Sequence, residues 1–135
     1  LLTLKKIEEL KKQLNYCGLE PFPLSAEILP ELGYDRLDDR FASLHQSPDS
    51  STIISERFNL IRTTQPVMEF VSSDKYDLVY YDAFGPPVQP EMWEPSIFEK
   101  LFSLMNDGGI LVTYCAKGSV RRAMISEGFN VERLP

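Results

Sequence analysis

Short runs typical of β-strands alternate with runs of helical periodicity along most of this chain. At its start, apolar residues recur at helical spacing at Leu1, Leu4, Ile7, Leu10 and Leu14, and a strand pattern follows directly. Because parallel strands need a long crossover connection that is usually a helix, this alternation predicts a mainly parallel sheet wrapped by helices on both faces. The expected fold class is therefore α/β.

The predicted strands are rich in apolar, β-branched and aromatic residues. They are Asn15–Glu20, Phe58–Ile61, Tyr76–Tyr81, Ile110–Tyr114 and Phe129–Leu134. Tyr76–Tyr81 is mostly apolar, as expected of a central strand that is covered on both faces. Between Tyr34 and Glu56 the pattern is weak: Leu37, Phe41 and Leu44 suggest one helical face, and Ser47–Ser51 has the composition of a mobile loop.

The predicted helices have apolar stripes or recognisable ends. They are Leu1–Leu14, a short helix capped by Ser25 that runs to Leu32 and is ended by Gly33, a brief one over Gln65–Val71, one with Pro95 in its first turn, and Ser119–Glu127 closed by Gly128. The helix at Pro95 should bury a stripe of Phe98, Leu101, Phe102 and Met105 and end at Asn106–Gly109.

Length and composition limit the class of protein. A chain of 135 residues predicts one domain over residues 1–135, and no apolar run approaches the roughly 20 residues of a membrane span. Its first residues do not have the pattern of a secretory signal, so a cytoplasmic location is expected. The only histidine, His45, makes a histidine-based zinc site or a Ser-His-Asp triad improbable, and Cys17 and Cys115 are expected to be buried free thiols. We therefore expect no metal.

Net charge is −6 with a pI near 4.8, which is the wrong sign for a protein whose whole surface grips phosphates. Any contact with nucleic acid must be local, or must be helped by a partner or by a missing segment.

Ligands of open α/β sheets bind at the carboxyl ends of the strands, so functional residues are sought directly after each strand. Glu20 ends the first predicted strand, and a carboxylate there can accept hydrogen bonds from both hydroxyls of a ribose. The alternative is a solvated loop carboxylate.

The segment Asp82–Trp93 has the least ordinary composition in the chain. Three prolines within five positions stiffen its backbone and remove hydrogen-bond donors. Phe84 and Trp93 offer flat faces for stacking, while Asp82 and Gln89 offer polar atoms to an amine or amide. The alternative is a stiff crossover loop in which Trp93 anchors the following helix to the sheet.

This segment resembles the motif of the MnmC-like methyltransferases: Asp, Ala or Gly, Phe, a small residue, Pro, two variable positions, a polar residue, Pro, an acidic residue, Met or Leu, and Trp. Asp82 to Trp93 match nearly every position. Gly18-Leu19-Glu20 and the stretch from Gly108 to Tyr114 agree as well, followed by Gly118, Val120, Arg121 and Arg122.

The resemblance implies a Rossmann-like, S-adenosylmethionine-dependent enzyme that methylates the exocyclic amine of an aminomethyl-(2-thio)uridine at the tRNA wobble position. It implies that Asp82 and Phe84 form the methyl-transfer pocket. By the same resemblance, the cofactor is held by Glu20, Pro21, Thr63 and Asp82, and the substrate by Gly85, Pro86, Gln89, Trp93, Lys117 and Arg121. It also implies tRNA as a partner and an FAD-dependent oxidoreductase domain or protein acting in the same pathway.

The chain departs from the family pattern in three places. It has no counterpart of the first strand and its glycine-rich loop, so the chain alone is expected to bind cofactor poorly and to be inactive. Arg62-Thr63-Thr64 stands where relatives commonly carry an acidic residue near the adenine, and Val88 stands where they often carry a basic one.

Two alternatives stay open: a methyltransferase for a free small molecule, which the acidic charge favours, and a non-catalytic Rossmann-like interaction module. A dinucleotide-dependent dehydrogenase is much less favoured, because no Gly-x-Gly-x-x-Gly motif is present.

Overall fold

The structure, a computed structural model, describes residues 2–45 and 49–134, and only the backbone of Asp35 and Ala42. The chain divides into two compact units, Leu1–Pro66 and Val67–Pro135, and each is described separately. The single domain expected from the sequence stays a prediction.

The first unit contains two α-helices, three strands and two 3₁₀ turns. They follow in the order α1 (Leu2–Leu10), β1 (Leu14–Leu19), the 3₁₀ turns Leu29–Leu32 and Tyr34–Arg36, α2 (Phe41–Leu44), β2 (Ser50–Ser55) and β3 (Phe58–Thr63). The strand order is β1-β3-β2. β1 and β3 are parallel and in register from Leu14 opposite Phe58 to Leu19 opposite Thr63, while β2 is antiparallel to β3.

Leu4, Phe58 and Leu60 form the buried core of this unit. β3 places Phe58 and Leu60 on the same face because side chains alternate along a strand. Leu4 comes from α1, whose helical spacing was predicted correctly as far as Leu10. The prediction was wrong at Leu14, which starts β1 and donates its backbone N–H to the Arg57 carbonyl at 2.8 Å.

Three further predictions for this unit can be compared with the structure. Gly33 ends the 3₁₀ turn with a φ of 67°, as predicted, but Ser25 does not cap it: the N-cap residue is Ile28, without a side-chain hydrogen bond. Residues 47 and 48 of the predicted loop lie outside the described residues. Ser50 and Ser51 of that loop belong to β2, a strand that the sequence did not indicate.

The second unit contains β4 (Tyr76–Tyr81), a 3₁₀ turn at Pro90–Trp93, α3 (Pro95–Ser103), β5 (Met105–Thr113) and α4 (Gly118–Ser126). β4 and β5 are parallel. Pro95 occupies the first turn of α3, where its missing N–H costs nothing. Phe98 of α3 and Val120 of α4 are almost completely buried.

Several details of the second unit correct the predictions. Within the buried stripe of α3, Phe98 and Leu101 are confirmed, whereas Phe102 is half-exposed and Met105 already belongs to β5. Asn106–Gly109 do not end the helix but form an irregularity within β5, where Tyr76 faces Met105 and Leu78 faces Ile110. Gly108 has a φ of 76°, a backbone conformation that glycine adopts without the strain that a Cβ atom would cause.

Two predicted elements are absent from the described chain. Residues 65–71 contain only a turn at 67–69, and residues 129–134 form no strand. The prediction that β4 is covered on both faces was also wrong, because Leu78 and Tyr80 are exposed. The helix predicted over Ser119–Glu127 is confirmed as α4, with Gly128 after it at a φ of 98°.

Two of the three strand pairings are parallel, and helices connect the strands of each parallel pair. The chain thus has the mainly parallel α/β architecture of a Rossmann-like sheet, as predicted. Across residues 2–45 and 49–134, no helix has the length and apolar content that crossing a membrane requires.

Candidate functional site

The first unit brings three predicted cofactor residues together at the carboxyl end of its parallel strands. Glu20 follows β1 directly and donates its backbone N–H to the carbonyl of Thr63, the last residue of β3, at 2.9 Å. Pro21 comes next in the chain. The Glu20 side chain is exposed, and its Oε1 accepts the Phe22 backbone N–H at 3.0 Å, which fixes the carboxylate beside the strand ends.

An acidic residue that the sequence did not single out lies at the same strand end. Asp49 accepts two hydrogen bonds from Thr64, one from the backbone N–H and one from the hydroxyl, both at 2.8 Å. These hydrogen bonds lower the pKa of the Asp49 carboxyl below its usual value. Asp49 therefore stands next to Thr63 and Thr64, where Arg62-Thr63-Thr64 itself offers no carboxylate.

In the second unit, Asp82 and Phe84 follow β4, and both side chains are exposed. The backbone behind them is held by aromatic side chains. Tyr114 Oη donates to the Ala83 carbonyl at 2.8 Å, and Trp93 Nε1 donates to the Phe84 carbonyl at 2.7 Å. The two carbonyls that follow Asp82 are thereby fixed, while 68% of Phe84 remains exposed.

The middle of the loop is closed by its own backbone. The Gly85 carbonyl accepts the N–H groups of Val88 and Gln89 at 2.8 and 3.1 Å, so that Pro86 and Pro87 lie within a tight turn. At the far end, the Tyr81 hydroxyl donates to the Met92 carbonyl. Burial raises the pKa of the Tyr81 phenol, which keeps it a hydrogen-bond donor.

Trp93 is only 5% exposed. Its ring packs edge-on against Tyr81, with centroids 5.2 Å apart, and against Tyr114, with centroids 6.0 Å apart. Its indole N–H already bonds the loop. These contacts favour the alternative of a stiff crossover loop, because they hold Trp93 against Tyr81 of β4 and Tyr114 after β5. The contact of Trp93 with substrate stays a prediction.

A model of the S-adenosyl-L-methionine-dependent methyltransferase family matches residues 43–135, more than half of the chain. The chain belongs to this family.

Curated relatives of this methyltransferase share one name, tRNA 5-methylaminomethyl-2-thiouridine biosynthesis bifunctional protein MnmC. The protein of Pseudomonas putida (strain GB-1) is 26% identical over 134 residues, covering 91% of this chain and 20% of the relative. That of Ectopseudomonas mendocina is 29% identical over 133 residues, covering 90% of this chain and 20% of the relative. The chain thus spans about a fifth of the length of the relatives it matches.

The residues of the first unit fit part of the family's cofactor. The exposed Glu20 carboxylate beside Thr63 has the chemistry and position of a ribose acceptor at a strand end. Its Oε1 is turned towards the Phe22 N–H, and a carboxylate oxygen accepts more than one hydrogen bond. Glu20 is therefore the residue of this unit that would hold the ribose, with Pro21 and Thr63 as the other predicted cofactor residues at the same strand ends.

Lys117 and Arg121 of the methyltransferase lie after β5, as Asp82 lies after the parallel strand β4. The carboxyl ends of parallel neighbours share one edge of a sheet, so both connections leave from the same edge of the second unit. Lys117 is the N-cap residue of α4, and its carbonyl accepts the Arg121 backbone N–H at 3.0 Å. Both side chains are exposed, and Arg121 Nη2 lies 3.5 Å from the Val131 carbonyl.

The sequence did not identify Tyr81 and Tyr114 as parts of this site. Both lie at or just beyond the carboxyl end of a strand, where a residue can reach the neighbouring loop. Their position was visible in the sequence, but nothing in it showed that their hydroxyls bond the backbone of the Asp82–Trp93 loop.

Proposed function

We propose that this methyltransferase acts on the exocyclic amine of an aminomethyl-(2-thio)uridine at the tRNA wobble position. The observation that carries the proposal is the exposed pair Asp82 and Phe84 on a backbone fixed by Tyr114 and Trp93. The name of the relatives supports the substrate class. Such a protein is expected in the cytoplasm, where tRNA is modified.

S-adenosyl-L-methionine, when bound, supplies a sulfonium whose methyl group is already strongly electrophilic. The residues of the chain therefore need only to hold a neutral amine in line with that methyl group and to exclude water. Asp82 accepts a hydrogen bond from the amine, orients its lone pair and stabilises the positive charge that grows on nitrogen. Phe84 stacks against the base of the nucleoside.

The other predicted residues have supporting roles in this proposal. Glu20 holds the cofactor ribose, Pro21 and Thr63 contact the cofactor, and Gly85, Pro86, Gln89 and Trp93 form the wall that faces the substrate. Lys117 and Arg121 contact tRNA phosphates locally, which is compatible with a chain of net charge −6.

The relatives are called bifunctional, and about four-fifths of their length lies outside the match, which supports a second catalytic activity. By the family resemblance, that activity belongs to an FAD-dependent oxidoreductase domain or protein in the same pathway.

Asp82→Asn in the full-length protein tests the proposal. It keeps the size of the side chain and removes its charge, and we expect methyl transfer to slow by about 100-fold to 1000-fold, the range for loss of one preorganised electrostatic contact. The measurement is mass spectrometry of nucleosides from tRNA of cells that lack the gene, after incubation with each variant. Asp107→Asn, an exposed carboxylate in β5, is the matched control.

An Asp82→Asn protein that restores tRNA modification fully would contradict the proposal and favour a non-catalytic interaction module. Phe84→Ala provides the second comparison, since loss of the stacking face should weaken substrate binding without removing the carboxylate.

A methyltransferase for a free small molecule is the second candidate, and the net charge of −6 favours it. Arg121→Glu with Arg122→Glu separates the two, because both side chains are exposed on α4. On tRNA, the double variant should lose rate in a salt-dependent way, since phosphate contacts are screened by salt. An unchanged rate at every salt concentration would indicate the small substrate.

A further inference from the structure

Tyr114 bonds the candidate active-site loop directly before Phe84 and lies beside Gly85, which directly follows it. It is the first residue after β5, and its hydroxyl donates to the Ala83 carbonyl at 2.8 Å. A Cβ atom built at Gly85 would lie 3.5 Å from the same hydroxyl oxygen. The hydroxyl therefore bonds the backbone directly before Phe84, and it faces the open side of Gly85 directly after it.

The ring of Tyr114 reaches the same segment by a second route. It packs edge-on against Trp93, with centroids 6.0 Å apart, and Trp93 donates its indole N–H to the Phe84 carbonyl. Tyr114 is thus linked to Ala83 directly and to Phe84 through one intervening ring.

The hydrogen bond of the Tyr114 hydroxyl is not needed to satisfy a buried polar group. Tyr114 is 59% exposed, and an exposed hydroxyl has water available as a partner. Its hydrogen bond to Ala83 therefore does not rescue a buried polar group. Its effect is to tie the end of β5 to the two residues that follow Asp82.

We propose that Tyr114 is a positioning residue that holds Asp82 and Phe84 in the geometry needed for methyl transfer. The proposal rests on the function proposed above for the Asp82–Trp93 loop. Tyr114 acts through the Ala83–Gly85 backbone, so its hydroxyl should affect the rate of the chemical step more than the binding of either substrate.

The test compares Tyr114→Phe with Tyr80→Phe in the full-length protein. Tyr114→Phe removes one oxygen and keeps the ring that packs on Trp93. Tyr80→Phe removes the same atom from an exposed position on β4, and none of the described loop hydrogen bonds uses it.

For Tyr114→Phe we expect the single-turnover rate of tRNA methylation to fall about threefold to tenfold, the change expected from one lost hydrogen bond. The KM for tRNA and the affinity for S-adenosylhomocysteine should change by less than about twofold, because the lost bond positions reacting groups and binds neither ligand. Tyr80→Phe should match the wild type. A Tyr114→Phe rate equal to that of Tyr80→Phe, or a loss confined to KM, would overturn the proposal.

Hydrogen exchange of the segment 83–93 provides a readout that needs no activity. Tyr114→Phe should accelerate exchange at Val88 and Gln89, whose N–H groups bond Gly85, and Tyr80→Phe should not. Unchanged exchange in Tyr114→Phe would overturn the positioning role. If the wild type transfers no methyl group to tRNA, the proposed function fails. The exchange experiment still decides whether the Tyr114 hydroxyl stabilises the conformation of the loop.

Discussion

The first unit of the molecule fixes a turn and a strand end with charged and polar side chains. The second unit fixes its candidate active-site loop with aromatic side chains. In the first unit, Arg40 donates to both Asp38 and Glu8 and so joins a turn to helix α1. Asp49 holds Thr64 by two hydrogen bonds at the end of β3. These contacts depend on ionised carboxylates.

In the second unit, Tyr81, Trp93 and Tyr114 each donate their polar hydrogen to a carbonyl of the Asp82–Trp93 loop and pack edge-on as rings. These contacts depend on ring packing and on neutral donors. The difference separates two kinds of sensitivity: contacts of the first unit should respond to acid, and those of the second to the loss of ring volume.

Removing the central ring of the second unit should have the largest effect. Trp93→Ala should lower the free energy of unfolding by about 3–5 kcal/mol, because a nearly buried aromatic side chain leaves a cavity. Urea unfolding followed by far-UV circular dichroism measures this. Trp93→Phe keeps a ring and loses the N–H, so it should lower the free energy of unfolding much less than Trp93→Ala does. Equal costs would show that the hydrogen bond to Phe84, not ring packing, holds the loop.

The second effect concerns cofactor affinity and should leave stability unchanged. Glu20→Gln in the full-length protein should weaken binding of S-adenosylhomocysteine about tenfold, as expected for a hydrogen bond that loses its charge. The amide oxygen can still accept the Phe22 N–H, so the local turn should persist. Isothermal titration is the measurement, with the exposed Glu27→Gln as control. Equal affinity in both variants would remove Glu20 from the cofactor site.

The smallest effect concerns how the stability of the first unit depends on pH. The Arg40 guanidinium beside Asp38 holds the pKa of that carboxyl well below its ordinary value. A depressed pKa in the folded state stabilises the fold fully above the unfolded pKa of about 4, and this contribution is lost as pH falls through the folded value. Asp38→Asn should therefore lower the urea midpoint at pH 7, and by progressively less as pH falls below about 4 towards the folded pKa.

Asp39→Asn, the same change at an exposed neighbouring residue, is the matched control for Asp38→Asn. If the two variants show the same pH dependence, the ion pairs of the first unit contribute nothing to its acid sensitivity. The two units would then differ only in their sensitivity to the loss of ring volume, not in their sensitivity to acid.

The parts of the fold that were predictable have strong local patterns. The predicted bounds of the strand Tyr76–Tyr81 are correct to the residue, because Lys75 and Asp82 limit a mostly apolar run on both sides. Pro95 and Gly128 mark the start of α3 and the end of α4 by backbone restrictions that do not depend on distant contacts.

The errors lie where tertiary contacts override such patterns. Ser50 and Ser51 have a loop-like composition, yet pairing with β3 makes them part of a strand. Leu14 continues the helical spacing of α1, but pairing with Phe58 places it in β1.

For the candidate site, sequence reasoning identified the loop but not what holds it. Asp82, Phe84 and the prolines form a contiguous motif, so they could be found by reading along the chain. Tyr114 bonds a carbonyl 31 positions away, and no local pattern indicates such a contact. Asp49 and Thr64 are likewise 15 positions apart.

Several backbone groups of the Asp82–Trp93 loop are already engaged in hydrogen bonds within the protein. The carbonyls of Ala83, Phe84, Gly85 and Met92 already accept hydrogen bonds, and its prolines carry no N–H. Under the proposed function, the exposed side chains Asp82 and Phe84 would carry much of the discrimination among nucleosides, and substitution can replace them one at a time. Such a loop can acquire a new preference in evolution without being refolded.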